Sequence, residues 1–389
     1  MIYLDHAADT PILPSVYLAM EPWMSGKQYG NPSSLHSAGR EAKKVIEESR
    51  SIIAKALNAE DESSIIFTSG GTESNNLAIG GTTYHLPVKK MITSQVEHSS
   101  ILNQWKGYIR YNDIFFVEVD VDNNCLINIG NVKKVVESQD LAVASFMLAN
   151  NEVGTIEPIK EISEICHEFG TVVHTDAVQA FGHMEIDVQK LGVDLLSLSG
   201  HKFGAPYGTG ALYISKRVIE KVRPIIFGGG QEKKLRAGTE NVPGIVGLGE
   251  AIRKMNVKAT MAQNKMLKYD FLTVLLDEFD NDFQSNGIRI NCADVETLNN
   301  ILSITVMDVE SESLLLLMDL DGVCISAASA CSAGSKEPSH VLHAMGMSDH
   351  EAHCTIRISF GSTNTPDTVR QAAKILAKNI KRIRAMYKS

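Results

Sequence analysis

The sequence predicts an α/β protein: a large, mainly parallel sheet covered by helices, joined to a smaller α+β domain. Three observations carry this. Short apolar runs alternate with helical periodicity as far as residue 215, the pattern of crossover units and therefore of parallel strands covered on both faces. After a polar helical stretch at 254–268 the strand signals become fewer and more widely spaced. Glycine-rich turns directly follow some of the runs, and open sheets of this kind collect ligands at the carboxyl ends of their strands.

Taken in order, Asn31-Pro32-Ser33-Ser34 reads as a loop ending in helix-capping serines. Ala42, Val45, Ile46, Ile53, Ala56 and Leu57 then recur at helical spacing. Strands are expected at 64–68, 90–94, 114–119, 141–148, 171–175, 194–198 and 211–215. Between two of them, Ile159, Ile162, Ile165, Cys166 and Phe169 form a helix face closed by Gly170. Beyond the polar stretch, strands are expected at 301–307, 323–327 and 355–360. The chain closes on a helix capped by Thr365, with Pro366 at its first position and Val369, Ala372, Leu376, Ile380 and Ile383 as its buried stripe. The expected division is a large domain at 13–255 and a small one at 256–389, to which residues 1–12 cross back.

Composition excludes several classes. A chain of 389 residues buries ample apolar surface without disulfide or metal staples. A net charge of −9 disfavours nonspecific nucleic-acid binding and anionic membrane surfaces. No apolar run is long enough for a bilayer, and Met1-Ile2-Tyr3-Leu4-Asp5 lacks the basic head and apolar middle of a signal peptide. The six cysteines are scattered with no CxxC pair, which disfavours a disulfide framework or structural zinc and points to a reducing cytoplasm. No metal is expected.

Several residues carry chemistry. Ser199-Gly200-His201-Lys202-Phe203-Gly204 follows a buried strand, and a lysine among glycines at a strand end is available for a Schiff base with an aldehyde cofactor; a solvated loop lysine is the alternative. Thr68-Ser69-Gly70-Gly71-Thr72-Glu73 runs from a strand into a helix, as either an anion cradle or an ordinary turn; no Gly-Lys-Ser/Thr follows, so it is not a nucleotide P-loop. Asp176 ends a strand, where it can hold a pyridinium nitrogen protonated or cap a helix. His98 can stack on a flat cofactor and move protons, or be a surface histidine. Cys331 lies in a small-residue stretch, Ser326–Ser335, that suits a mobile reactive loop, whereas Cys166 and Cys354 sit in periodic, core-like segments. Arg357 alternates out of an apolar strand and can grip a carboxylate or form a strand-face ion pair.

Together these residues resemble the cysteine desulfurases of the NifS/IscS type, pyridoxal-phosphate (PLP) enzymes of the class V aminotransferase family. The matching blocks span nearly the whole chain. They include Gly30–Ser34, Thr68–Asn76, Ala149–Gly154, His174–Gln179, Ser199–Lys202, Gly228–Glu232, Arg236–Asn241 and Ser329–Ser332. The resemblance implies PLP-dependent transferase fold type I, aspartate aminotransferase-like, with a seven-stranded sheet. It implies Lys202 as the Schiff-base lysine, Asp176 on the pyridine nitrogen, Gln179 on the phenolic oxygen and His98 on the ring. Gly71, Thr72, Ser199 and His201 would hold the phosphate, with Thr239 arriving from the second subunit of a homodimer. Asn151 and Arg357 would face the substrate carboxylate. Cys331 would take the sulfur of L-cysteine as a persulfide for an acceptor protein, alanine leaving; iron–sulfur cluster assembly, tRNA thiolation and DNA phosphorothioation are candidate destinations. One departure stands out: His6-Ala7-Ala8-Asp9-Thr10 replaces the family's usual Asn-Ala-Ala-Thr-Thr or Asn-Asn-Ala-Thr-Thr, which is expected to change polarity at the mouth of the site. A selenocysteine lyase, another PLP lyase or transaminase, and a non-catalytic scaffold are the rival readings.

Overall fold

A computed structural model describes residues 1–83, 87–109, 114–137, 141–327 and 338–387. After β1 (Ile2–Tyr3), helices α1 (Pro14–Met24) and α2 (Ser37–Ala56) lead to β2 (Ile65–Thr68). Then α3 (Gly71–Thr83), β3 (Lys90–Ser94), α4 (Ser99–Ile109), β4 (Phe115–Val119), α5 (Ile129–Val136), β5 (Ala142–Met147), α6 (Ile159–Glu168), β6 (Val172–Asp176), β7 (Leu195–Ser199) and β8 (Gly210–Ile214) follow. β2 to β8 form one seven-stranded sheet in the order β2-β8-β7-β6-β5-β3-β4. The run from β7 to β4 is parallel, and β8 pairs antiparallel with both β2 and β7. β5, β6 and β7 are buried along their whole length, which is why they read as continuous apolar runs rather than alternating ones.

The remaining strands are β9 (Ile288–Ile290), β10 (Ile301–Val306), β11 (Val323–Cys324), β12 (Ser326–Ala327) and β13 (Thr355–Ser359). A four-stranded antiparallel sheet runs β12-β13-β10-β9, and β1 pairs in parallel with β11. The single strand expected at 323–327 is two. Val323–Cys324 bonds the N-terminal strand, and the chain then steps over to β13 at Ser326. One core cluster joins Leu4 to β10, β13 and the stripe of the last helix, in which Val369, Ala372, Leu376 and Ile380 have no exposed surface. Thr365 caps that helix, its Oγ1 accepting the Thr368 N–H at 3.3 Å.

The cap expected from Ser33 and Ser34 is supplied by His36 instead, whose Nδ1 accepts the Gly39 N–H at 3.2 Å. The Asn31 side chain turns the preceding loop by accepting from Ser33 N at 2.9 Å. A Cβ on Gly39 would lie 2.5 Å from the Ser34 carbonyl, so only glycine lets the loop fold this tightly over the helix start. No helix among the described residues is long and apolar enough to cross a membrane.

Candidate active site

A cavity of about 530 Å³ opens at the carboxyl ends of β2, β5, β6 and β7. Ten of the twelve residues singled out from the sequence line it: Gly71, Thr72, His98, Asn151, Asp176, Gln179, Ser199, His201, Lys202 and Arg357. Thr239 is exposed and does not line it. Cys331 lies outside the described residues.

Chain direction explains the convergence. β6 ends at Asp176 and β7 at Ser199, and Lys202 closes the single turn after β7. The Lys202 ammonium donates to the carbonyls of Ala7 (2.7 Å) and Ala8 (2.9 Å). The N-terminal segment therefore forms a wall of the site. Gln179 Nε2 donates to the same Ala7 carbonyl at 2.8 Å.

Asp176 is fixed from two sides. Its Oδ1 accepts the Val178 N–H at 2.9 Å and its Oδ2 accepts Asn75 Nδ2 at 2.7 Å. Asn75 also donates to Ser100 Oγ at 2.9 Å, and Ser100 Oγ lies 2.8 Å from His98 Nδ1. The Ser100 N–H donates to that same nitrogen at 3.1 Å. Nδ1 is thus an acceptor, and Nε2 carries the proton of the neutral ring. Sequence reasoning missed Asn75 and Ser100. The available signal was Ser74-Asn75 on the buried face of a helix, where an amide needs a partner.

At the other end, buried Arg357 donates to the Asn151 carbonyl at 2.8 Å and to Asp5 Oδ1 at 2.9 Å, while its Nε has no partner among the described residues. Of the two readings left open for Arg357, the structure shows the ion pair, made with Asp5, and the residue also lines the cavity.

The unusual Asp9 bonds His201 Nδ1 at 3.1 Å and receives the Tyr207 hydroxyl. Burial first, then the adjacent Lys202 charge, holds the His201 imidazole below its ordinary pKa, against the pull of Asp9. His6 does not change the mouth of the site. It is fully buried, 2.8 Å from Thr363 Oγ1, in a space that a Cβ on Gly361 would fill. Burial, then the neighbouring His183, lowers its pKa to about 4.

Glu97 lies behind the site, fully buried, its Oε1 accepting from Ser94 Oγ (2.6 Å) and Met147 N (3.0 Å). Burial raises its pKa to about 8 despite those bonds. The folded state therefore holds a proton that the unfolded chain releases near the usual carboxylate range, and stability must fall as pH rises through that window toward 8. Glu97→Gln, which keeps the accepting oxygen, is expected to flatten this alkaline loss. Thermal melts of both proteins between pH 6 and 9 check it; parallel declines would contradict the assignment.

The site fits PLP on the geometry. A Cβ on Gly71 would meet the Val178 side chain at 2.6 Å, so the start of α3 must be bare. Its first amides have no preceding turn to bond. Buried Gln179 Oε1 and Asn75 Oδ1 lack partners among the described residues. The cavity volume is in the ordinary range for a cofactor pocket.

The family profile described as Aminotransferase class-V matches residues 2–371. This chain is a class-V aminotransferase family member. Within that family it belongs with the cysteine desulfurases: it is 43% identical to the cysteine desulfurase IscS of Dictyoglomus turgidum over 99% of this chain and 96% of that protein. Among solved structures, a NifS-like protein from Rickettsia africae superposes with a TM-score of 0.84 at 33% identity, covering 99% of both chains. A structure described as SspA in complex with cysteine gives 0.79 at 35% identity, covering 92% of this chain and 99% of that one. The class-V member described here is accordingly a PLP-dependent enzyme with the fold of the NifS-like proteins.

Proposed function

We propose that this cavity removes sulfur from L-cysteine, leaving alanine and a persulfide on Cys331 for a protein acceptor. The observation that carries it is one cavity at the strand ends lined by Lys202, Asp176, His98, the bare start of α3 and Arg357. In this reading Gly71, Thr72, Ser199 and His201 hold the phosphate, His98 lies on the ring, Gln179 meets the phenolic oxygen, and Asp176 faces the pyridine nitrogen. When bound, PLP supplies an electron sink for the substrate's α-carbon.

The protein's own groups do the rest. Arg357, which lines the cavity, holds the substrate carboxylate, with Asn151 beside it. Lys202 gives up its bonds to Ala7 and Ala8 and takes the α-proton. The Asn75–Asp176 bond keeps that carboxylate oriented. Cys331, as thiolate, attacks the substrate sulfur: the S–S bond forms as the substrate's Cβ–S bond breaks, and the carbon keeps that electron pair and takes a proton to become the methyl group of alanine. Purified protein given L-cysteine and a thiol reductant should form alanine and sulfide in equal amounts. Pyruvate formation, or no product, would sink the reading, and a preference for selenocysteine would favour the lyase alternative.

Residues 13–255 act as the cofactor-binding unit and 256–389, with 1–12, as the unit carrying the sulfur acceptor. The enzyme works as a homodimer in the cytoplasm. Thr239 is exposed, and Tyr17, Leu18, Tyr29, Leu35, Tyr207 and Phe227 are each more than half exposed and available to a partner. Thr239 would complete the partner's phosphate site. Light scattering should give twice the chain mass, and Thr239→Ala should weaken PLP retention. A fully active monomer would contradict both.

A further inference from the structure

A carboxylate stands in the wall of the cavity where the phosphate would bind. Glu73 is the third residue of α3, lines the cavity, and its side chain is only 10% exposed. One oxygen accepts the Ser69 N–H at 2.9 Å. Arg236 grips both oxygens, Nε to Oε1 at 2.9 Å and Nη2 to Oε2 at 3.3 Å. Burial opposes ionisation here, but the bonds from Arg236 and Ser69 outweigh it and hold the Glu73 carboxyl below its ordinary pKa. A helix start stabilises one anion well; a second anion beside it is repelled unless the first is balanced.

Arg236 is not a loose surface group. The root of its segment is pinned to β2 by buried Glu232, which bonds Arg50 at 2.7 and 2.8 Å and the Phe67 N–H at 2.7 Å. Glu232, Lys233 and Lys234 are all left-handed, with φ of 42°, 57° and 67°. Three such non-glycine residues in a row are costly and need those bonds to persist. The fold therefore spends strain to deliver this guanidinium to Glu73.

We propose that Arg236 is the charge-balancing, positioning residue of the phosphate cradle: it neutralises Glu73 so that the start of α3 accepts the cofactor's phosphate. This rests on the proposed seating of the phosphate at Gly71 and Thr72. The signs are specific. Removing Arg236 leaves Glu73 unpaired against the phosphate. Removing the Glu73 charge breaks the same ion pair but leaves Arg236 cationic beside it.

The test reconstitutes full-length protein, freed of its cofactor, with PLP and with pyridoxal, which has the same ring and aldehyde but no phosphate. Arg236→Gln should weaken PLP by about tenfold or more and leave pyridoxal unchanged. Glu73→Gln should bind PLP at least as tightly as wild type, and the double variant should regain most of the loss. Equal weakening of both ligands by Arg236→Gln would show a merely structural role and overturn the proposal. So would a loss of PLP affinity in Glu73→Gln matching that in Arg236→Gln. Wild type that binds both ligands equally, with inorganic phosphate failing to compete, would instead overturn the seating itself and the inference with it.

Discussion

Lys202→Ala is expected to lose turnover of L-cysteine by about 10³-fold or more, together with covalent attachment of the cofactor. The lysine is placed rather than merely present. It closes the turn after β7, and its ammonium is held by the Ala7 and Ala8 carbonyls at 2.7 and 2.9 Å inside the cavity. In the proposed reading two jobs converge on this amine, attachment of the aldehyde and transfer of the α-proton, so no single neighbour can replace it. His201 is adjacent, but its Nδ1 is engaged by Asp9, and among the described residues no other lysine lines the cavity. Borohydride reduction of wild type followed by peptide mapping should find the adduct on Lys202. The variant should lose the cofactor's characteristic absorbance on gel filtration yet melt cooperatively. An adduct on another lysine, or a variant with ordinary turnover, would refute the assignment.

The large sheet was legible because its inner strands are buried on both faces. A run such as Leu195–Ser199 shows no alternation because it is buried at every position, as a central strand under two helical layers is. The small sheet was harder for the opposite reason. Ile2–Tyr3 and Ile288–Ile290 are two and three residues long, too short for periodicity to register, and Ile2–Tyr3 takes its partner, Val323–Cys324, from far along the chain. The break at Ile325 is a change of pairing partner, which propensity does not encode. At the site, residues that follow a strand directly were readable from position: Asp176, Lys202, Gly71. Residues that orient them were not. Asp5 holds Arg357 across 352 positions and Asn75 holds Asp176 across 101; nothing local announces either bond. His6 was misjudged because sequence proximity to Asp9 suggested a shared surface, whereas burial beneath Gly361 turns it inward.

Cys331→Ala is expected to keep the cofactor and its Lys202 attachment, still to bind L-cysteine with a change in absorbance, and to form alanine about 10²-fold more slowly or worse. The described residues on either side of the cysteine anchor this. On the near side Ser326 pairs in register with Arg357. On the far side Ser339 donates to Glu152 and caps the helix His340–Ala344, and Glu152 adjoins Asn151. Ser326 and Ser339 are therefore both tied to residues at or next to the Arg357–Asn151 end of the cavity. The five other cysteines are poor substitutes. Burial pushes the thiols of Cys125, Cys292, Cys324 and Cys354 up, and that of Cys166 up to about 12, away from the thiolate that must attack sulfur. None of them lines the cavity. The proposed function puts cofactor chemistry and sulfur capture on separate parts of the chain, and the substitution should sever the second while sparing the first. Single-turnover spectroscopy alongside an alanine assay measures the split, and peptide mapping of cysteine-treated wild type should find the persulfide on Cys331. Near-normal alanine formation by the variant, or a persulfide on Cys324 or Cys354, would overturn the assignment.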